Sequence, residues 1–261
     1  MLISDIIAAI EQEAPLSLQE SYDNAGMQVG DKSALCTGVL LCVDVTPSVI
    51  DEAIERDCNL VVSHHPLIFR GLKHITGATP QELAIIKAIT AGVAVYSAHT
   101  NLDSAPGGMS WRLAEMLGVG NLRVLQPSET GDGAGFGVVG ELSEVIDTVE
   151  FMRIIQRRLE VSVIRYSDIA TSGVRRVAVC TGAGASLIGE ARRAGADIYI
   201  TADMKYNDFM APDKALTVAD IGHFESEYCA IQLIFDILSK NLCTFAVRKS
   251  ERSRNPVNYL V

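Results

Sequence analysis

Four of the five histidines stand where an apolar run gives way to polar residues, and each has a carboxylate or a second imidazole close by. His64 and His65 follow Leu60-Val61-Val62-Ser63 and precede Pro66. His99 opens His99-Thr100-Asn101-Leu102-Asp103, and His223 and Glu227 belong to Gly222-His223-Phe224-Glu225-Ser226-Glu227. Histidine nitrogens with the oxygens of Asp103 and Glu227, and no thiolate, make a donor set suited to zinc, iron or manganese, and carboxylates can bridge two ions. So few ligands leave positions open for water. Two ions a few ångströms apart can then hold hydroxide and polarise a substrate oxygen or nitrogen. Neighbouring residues on a regular strand point to opposite faces. His64 and His65 can therefore share a site only if the chain bends at Ser63–Pro66, or if each serves a different ion. His223 and Glu227, four apart at a helix start, lie on one face one turn apart. The plainer account of that hexapeptide is a helix start whose acids are favoured by the macrodipole. His74, in Gly71-Leu72-Lys73-His74-Ile75, reads as a surface or packing residue.

The elements that must position these groups follow from periodicity. Ile3, Ile6, Ile7 and Ile10 at helical spacing predict an amphipathic helix over Ile3–Glu13, ended by Pro15. Tyr22-Asp23-Asn24-Ala25-Gly26 is a turn cluster, and Met27–Val29 a short strand. Buried strands are predicted at Gly38–Val45, Asn59–Ser63 and Val93–Ser97. Helices fall at Pro47–Arg56, with Pro47 in the first turn, and at Thr79–Thr90, closed by Gly92. Pro66 cannot continue a central strand, so the paired histidines sit at the carboxyl end of one, where ligands gather in open α/β sheets. A helix at Trp111–Leu117 follows, and Gln126–Gly140, rich in glycine, reads as irregular. The domain boundary is placed there, giving an N-terminal α/β domain over 1–126 and a second over 127–261 whose C-terminal segment packs back on the first.

The second half resembles the first, as a duplication would produce and as the shared composition of β-α-β units also can. An offset of 138 positions lays Cys42–Ser63 on Cys180–Thr201, matching Cys42 with Cys180, Glu52-Ala53 with Glu190-Ala191, and Leu60-Val61-Val62-Ser63 with Ile198-Tyr199-Ile200-Thr201. His64-His65 then falls on Ala202-Asp203, so the second copy lacks the imidazole pair. A helix over Lys205–Ala215, a strand at Ala215–Asp220, a long helix from Phe224 to Leu238 and a strand at Cys243–Val247 complete the expectation. Alternating strands and helices mean α/β layers with partly parallel sheets. Thr181-Gly182-Ala183-Gly184-Ala185 lacks the third glycine of a dinucleotide loop and any following Gly-Lys-Ser/Thr, so it reads as a tight strand-to-helix turn. Ser63 and Ser226 have His and acid neighbours, but ligation would occupy those groups and leaves no serine triad.

The chain has 261 residues, 48% of them apolar, and a formal charge of −10. That is enough for a sizeable core, and the charge argues against a general nucleic-acid binder. Cys36, Cys42, Cys58, Cys180, Cys229 and Cys243 form no CxxC pair and read as reduced core thiols. The start, Met1–Pro15, has no basic n-region, and no apolar run reaches membrane-spanning length. A cytoplasmic location is the expectation.

Ser63–Phe69 (SHHPLIF), Ala98–Asp103 (AHTNLD) and Gly222–Glu227 (GHFESE), in this order and at these separations, resemble the Nif-three-like dinuclear metal-centre family, whose members carry the name GTP cyclohydrolase I type 2 homologue. YDNAGMQVG, DVT, CTGAG, ITADMKY and NPVNYLV extend the resemblance over essentially the whole chain. It implies two divalent ions per chain, ligated by His64, His65, Asp103, His223 and Glu227. It also implies two α/β domains of similar topology with the metals between them, and a toroidal homo-hexamer. His99 falls on a histidine of the family motif near the metals and is expected to donate a proton or orient a group, with Glu227 a second proton carrier. Tyr22, Ala202, Asn207 and Ser110 depart from the family's usual tryptophan, glycine, histidine and asparagine, which bears on substrate choice. The inserted domain of some relatives is absent.

The resemblance implies a hydrolase of the GTP cyclohydrolase type: hydroxide generated at the metals adds to the guanine imidazole carbon, the ring opens and formate leaves. A phosphoesterase would use the same two ions. A third reading is a non-catalytic metal-loaded ring that binds nucleic acid or protein, for which Arg70, Lys73, Lys205, Arg248 and Lys249 could line an opening.

Overall fold

The computed structural model describes residues 1–129, 133–212, 214–241 and 245–260. In chain order its strands are β1 (Gly26–Val29), β2 (Val39–Cys42), β3 (Leu60–Ser63), β4 (Ala94–Ser97), β5 (Gly120–Pro127), β6 (Gly135–Asp147), β7 (Arg165–Tyr166), β8 (Gly173–Ala183), β9 (Ile198–Ala202), β10 (Thr217–Asp220) and β11 (Val247–Lys249). The α-helices are α1 (Ile3–Glu13), α2 (Pro47–Glu55), α3 (Pro80–Ala91), α4 (Thr100–Ser104), α5 (Met109–Met116), α6 (Thr148–Leu159), α7 (Ile188–Arg193), α8 (His223–Glu227) and α9 (Cys229–Asn241). They form two compact units, one of Met1–Leu102 with Ala230–Arg254, the other of Asp103–Cys229 with Asn255–Val261.

The first unit carries a five-stranded sheet in the order β1-β4-β3-β2-β11. β2, β3 and β4 run parallel, with Val39 opposite Leu60 and Leu60 opposite Ala94; β1 is antiparallel to β4. Every residue of the three central strands is buried, as expected for parallel strands covered on both faces. Two helices are set by their first residues: Thr46 and Thr79 accept from the backbone N–H three positions on, and Pro47 and Pro80 follow them. α3 stops at Gly92, left-handed at φ 67°. Buried Glu52 of α2 accepts from Arg56 (2.7 Å), the Ser250 hydroxyl (2.5 Å) and the Glu251 N–H (2.9 Å), tying the segment after β11 to this unit.

The second unit carries a six-stranded sheet, β5-β6-β8-β9-β10-β7, with β8, β9 and β10 parallel and the others antiparallel. Four expectations are corrected here. Gln126–Gly140 is not irregular where described: Gln126 and Pro127 end β5, and Gly135 opens the thirteen-residue β6; residues 130–132 lie outside the described residues. A side chain at Gly140 would overlap the Gly120 carbonyl of the neighbouring strand, so this glycine serves close strand approach. Lys205–Ala215 is a single 3₁₀ turn over Tyr206–Phe209, because Asp208 turns back to accept from the Lys205 N–H at 2.8 Å and Pro212 cannot extend a helix. The long helix from Phe224 is two helices meeting at Tyr228. Ser226 donates to the His223 carbonyl at 2.8 Å, a back-bond that bends helices. The strand expected at Cys243–Val247 is β11, shifted toward the C-terminus, while residues 242–244, including Cys243, lie outside the described residues. Among the described residues no helix is long and apolar enough to cross a membrane.

Candidate metal centre

β3 delivers the first group. After Ser63 the chain turns, with His64 N–H and His65 N–H donating to the Cys42 and Val43 carbonyls at 3.2 and 3.0 Å. The Ser63 hydroxyl donates back to the His65 carbonyl at 2.8 Å. This is the bend that lets adjacent histidines leave strand alternation. Their rings lie 5.1 Å apart, centroid to centroid. β4, the next parallel strand, brings His99 to them, with its ring 5.3 Å from His64 and 5.5 Å from His65. One ligand nitrogen from each of the three falls within 4.8 Å of the others.

The hydrogen bonds of the rings fix which nitrogen that is. His64 Nδ1 donates to the Ala98 carbonyl at 2.8 Å, His65 Nδ1 to Asp44 at 2.7 Å, and His99 Nδ1 to Asp23 at 2.7 Å. A backbone carbonyl and an ionised carboxylate only accept, so each Nδ1 carries the proton and Nε2 carries the lone pair. An acceptor behind the far nitrogen is the arrangement that orients metal-binding imidazoles and raises their basicity. His64 and His65 thus offer donors that fit a divalent ion, and His99 Nε2 stands within reach beside them.

The second unit repeats the device. His223, at the start of α8 beyond β10, bonds Asp203 through Nδ1 at 2.7 Å and lies 2.9 Å from Glu227 Oε2 through Nε2. The hydrogen bond to Glu227 is the main cause that pushes the His223 imidazole up to about 9, burial opposing it and Asp203 adding to it. With Nδ1 backed by Asp203, Nε2 and the Glu227 carboxylate converge where a cation could be held. Glu227 is buried, and the end of β8 closes over it. Gly182, left-handed at φ +61°, has no room for a side chain, which would overlap Glu227 Oε1. The Gly182 N–H donates to the Ser226 hydroxyl at 2.9 Å. The tight turn expected over Thr181-Gly182-Ala183-Gly184-Ala185 begins later than its first residues: Thr181–Ala183 are the irregular end of β8 and the 3₁₀ turn is Ala185–Leu187, so it is the strand end that shapes the carboxylate's surroundings. Thr181 also donates to Asp103 Oδ1 at 3.3 Å and meets the Ser110 hydroxyl at 3.4 Å, which gives Ser110 a place in this site.

The structure brings His64, His65 and His99 together in one unit, and His223 and Glu227 together in the other, where Asp103 is held by Thr181. His74 takes part in neither group. Burial pushes the Cys180 and Cys229 thiols up to about 12 and Cys36 up to about 11, so these cysteines remain protonated and offer no thiolate. Sequence reasoning missed the orienting acids Asp23, Asp44 and Asp203. Their signals are their places in YDNAGMQVG, DVT and ITADMKY and, for Asp203, on the overlay of the two halves, none of which assigns them a role.

The Duf34/NIF3 (NGG1p interacting factor 3) family model matches residues 1–256. A Clostridium perfringens protein named GTP cyclohydrolase 1 type 2 homolog is 38% identical over 230 residues, 87% of each chain. A Lactococcus lactis protein of the same name is 33% identical over 98% of each. Among solved structures, a Staphylococcus aureus hypothetical protein superposes with a TM-score of 0.91 at 26% identity, covering 100% of this chain and 99% of that one. Reduced HcgD from Methanocaldococcus jannaschii superposes at 0.79 and 27% identity, covering 96% and 98%.

Proposed function

This chain belongs to the Duf34/NIF3 family, and from that premise we propose that it is a metal-dependent hydrolase holding two divalent ions on His64, His65, Asp103, His223 and Glu227. The observation that carries the reading is the uniform backing of Nδ1 at the histidines, which leaves Nε2 nitrogens and carboxylate oxygens as the donors. Such ions supply Lewis-acid polarisation of a substrate oxygen or nitrogen and make water more acidic. The protein's own residues do the rest. His99, its Nδ1 held by Asp23, uses Nε2 to take and return a proton, and Glu227 is the second proton carrier. Imidazole suits zinc and iron, and carboxylate suits manganese, so the set itself leaves the metal open among the three.

The names of the relatives favour a purine nucleotide as substrate and the cyclohydrolase reaction, in which the guanine imidazole ring opens and formate is released. A homo-hexamer and a cytoplasmic location complete the proposal. The test is metal-loaded protein assayed with GTP and with a generic phosphodiester, in wild type and His64→Ala. Formate release that disappears in the variant supports the cyclohydrolase reading. Phosphodiester cleavage alone replaces it with a phosphoesterase, and a full metal load without turnover replaces it with a binding protein.

A further inference from the structure

The turn cluster around Asp23 has no part in the ligand set, yet its carboxylate is the most enclosed acid near the histidines. Its side chain is 0% exposed, although it lies in a polar turn. Oδ1 accepts from His99 Nδ1 at 2.7 Å and from the Asn24 N–H at 2.7 Å, while Oδ2 accepts from the Thr100 N–H at 3.0 Å and from the Thr100 hydroxyl. Both oxygens face donors, so the group has no use for a proton of its own. Burial alone would push the carboxyl up, but the bonds from His99 and Thr100 outweigh it and hold the group down to about 2. The His99 ring is clamped from other sides as well. Phe69 meets it at 88° with centroids 5.9 Å apart, and the backbone that carries it is held by the His99 main-chain N–H donating to Asn101 Oδ1 at 2.9 Å.

We infer that Asp23 is a positioning residue that locks His99 in its Nδ1–H tautomer, so that Nε2 is the proton-accepting nitrogen presented beside His64 and His65. This deepens the reading of His99 as the proton carrier and rests on it. An ionised carboxylate cannot donate, so it permits one tautomer only. Replacing it by an amide reverses that choice. In Asp23→Asn the amide oxygen keeps both Thr100 bonds, one of them from the backbone N–H, and the NH₂ group falls against His99 Nδ1 at the cost of the bond from the Asn24 N–H. A donor there turns Nδ1 into an acceptor and moves the ring proton to Nε2, where it removes the basic lone pair.

The tautomer is read directly from the ring nitrogen signals of ¹⁵N-labelled, zinc-loaded protein, with His99 assigned by comparison with His99→Gln. In the wild type, Nδ1 is expected to carry the protonated, pyrrole-like signal. In Asp23→Asn the two nitrogens are expected to exchange character, with zinc content unchanged. Thr100→Val, which removes one donor to Oδ2 and leaves the carboxylate, is expected to keep the wild-type tautomer. An Nε2–H tautomer in the wild type, or an unchanged one in folded Asp23→Asn, overturns the inference. The wild-type spectrum decides the first point even if the variant does not fold. Failure of the protein to take up zinc would count against the metal reading alone, since the Nδ1–H tautomer is measurable in the metal-free protein.

Discussion

The two units share a parallel three-stranded frame and use its strand ends differently. In the first, β2, β3 and β4 lie side by side. In the second, β8, β9 and β10 do the same. The pairing Val39 with Leu60 recurs as Val177 with Ile198, each residue displaced by the same 138 positions, so the repeat seen in sequence holds in register. In both units the third strand ends in a histidine followed four residues later by an acid: His99 and Asp103, then His223 and Glu227. The middle strands differ. β3 ends in two imidazoles, whereas β9 ends in Ala202-Asp203, and Asp203 backs the Nδ1 of His223. The first unit recruits its backing acids, Asp23 and Asp44, from elsewhere. One frame thus presents paired imidazoles at its middle strand in the first unit and, in the second, an acid that backs the neighbouring strand's histidine.

That difference can be broken at several depths. The largest effects belong to the ligands. His64→Ala and His223→Ala are each expected to weaken metal binding by more than the roughly 100-fold that bounds an outer-sphere loss, read by competition with a chromogenic chelator. Asp44→Asn and Asp203→Asn touch only Nδ1 and are expected to cost about 10–100-fold. Equal losses would mean that the two units orient their imidazoles to the same degree. A loss at Asp44 alone would leave Asp203 as a surface acid and dissolve the comparison.

Smaller changes sharpen it. Gly182→Ala places a side chain at a left-handed position against Glu227 and is expected to lower stability by about 1–3 kcal/mol, measured by denaturant unfolding, with metal affinity falling as Glu227 is displaced. A stable variant with unchanged affinity would detach the end of β8 from the site. The smallest effect is at acid pH. Asp23 is depressed from its usual 3.8 to about 2 in the folded chain. Its contribution is therefore fully present above 3.8 and lost as pH falls through about 2. The stability gap between wild type and Asp23→Asn should narrow over that window and be flat above it.

Much of this was legible in the sequence, for physical reasons. The central strands are uninterrupted β-branched runs because both faces are covered. Prolines and threonines announce the helix starts, and Ser63–Pro66 announces the bend that frees His64 and His65. What was not legible is contact over distance. The acids that back His99, His65 and His223 lie 76, 21 and 20 positions away. Asp23 reads as a turn former and Asp44 as the end of a strand until the sheet brings them to their imidazoles. α6 passed unseen because its buried face, Phe151, Met152 and Ile155, is set among arginines and glutamates in a stretch without flanking motifs. Gln126–Gly140 reads as irregular because glycines weaken a strand signal, while in β6 Gly140 permits close backbone approach.

The proposal stands or falls on His64 and His223 both being metal ligands. Its most direct test is the metal content of zinc-loaded wild type, His64→Ala and His223→Ala, measured by elemental analysis after removal of free zinc. About two ions per chain in the wild type, with a clear loss in both variants, is the predicted result. A wild type that takes up no zinc, or a His223→Ala protein that keeps the full complement, would contradict it.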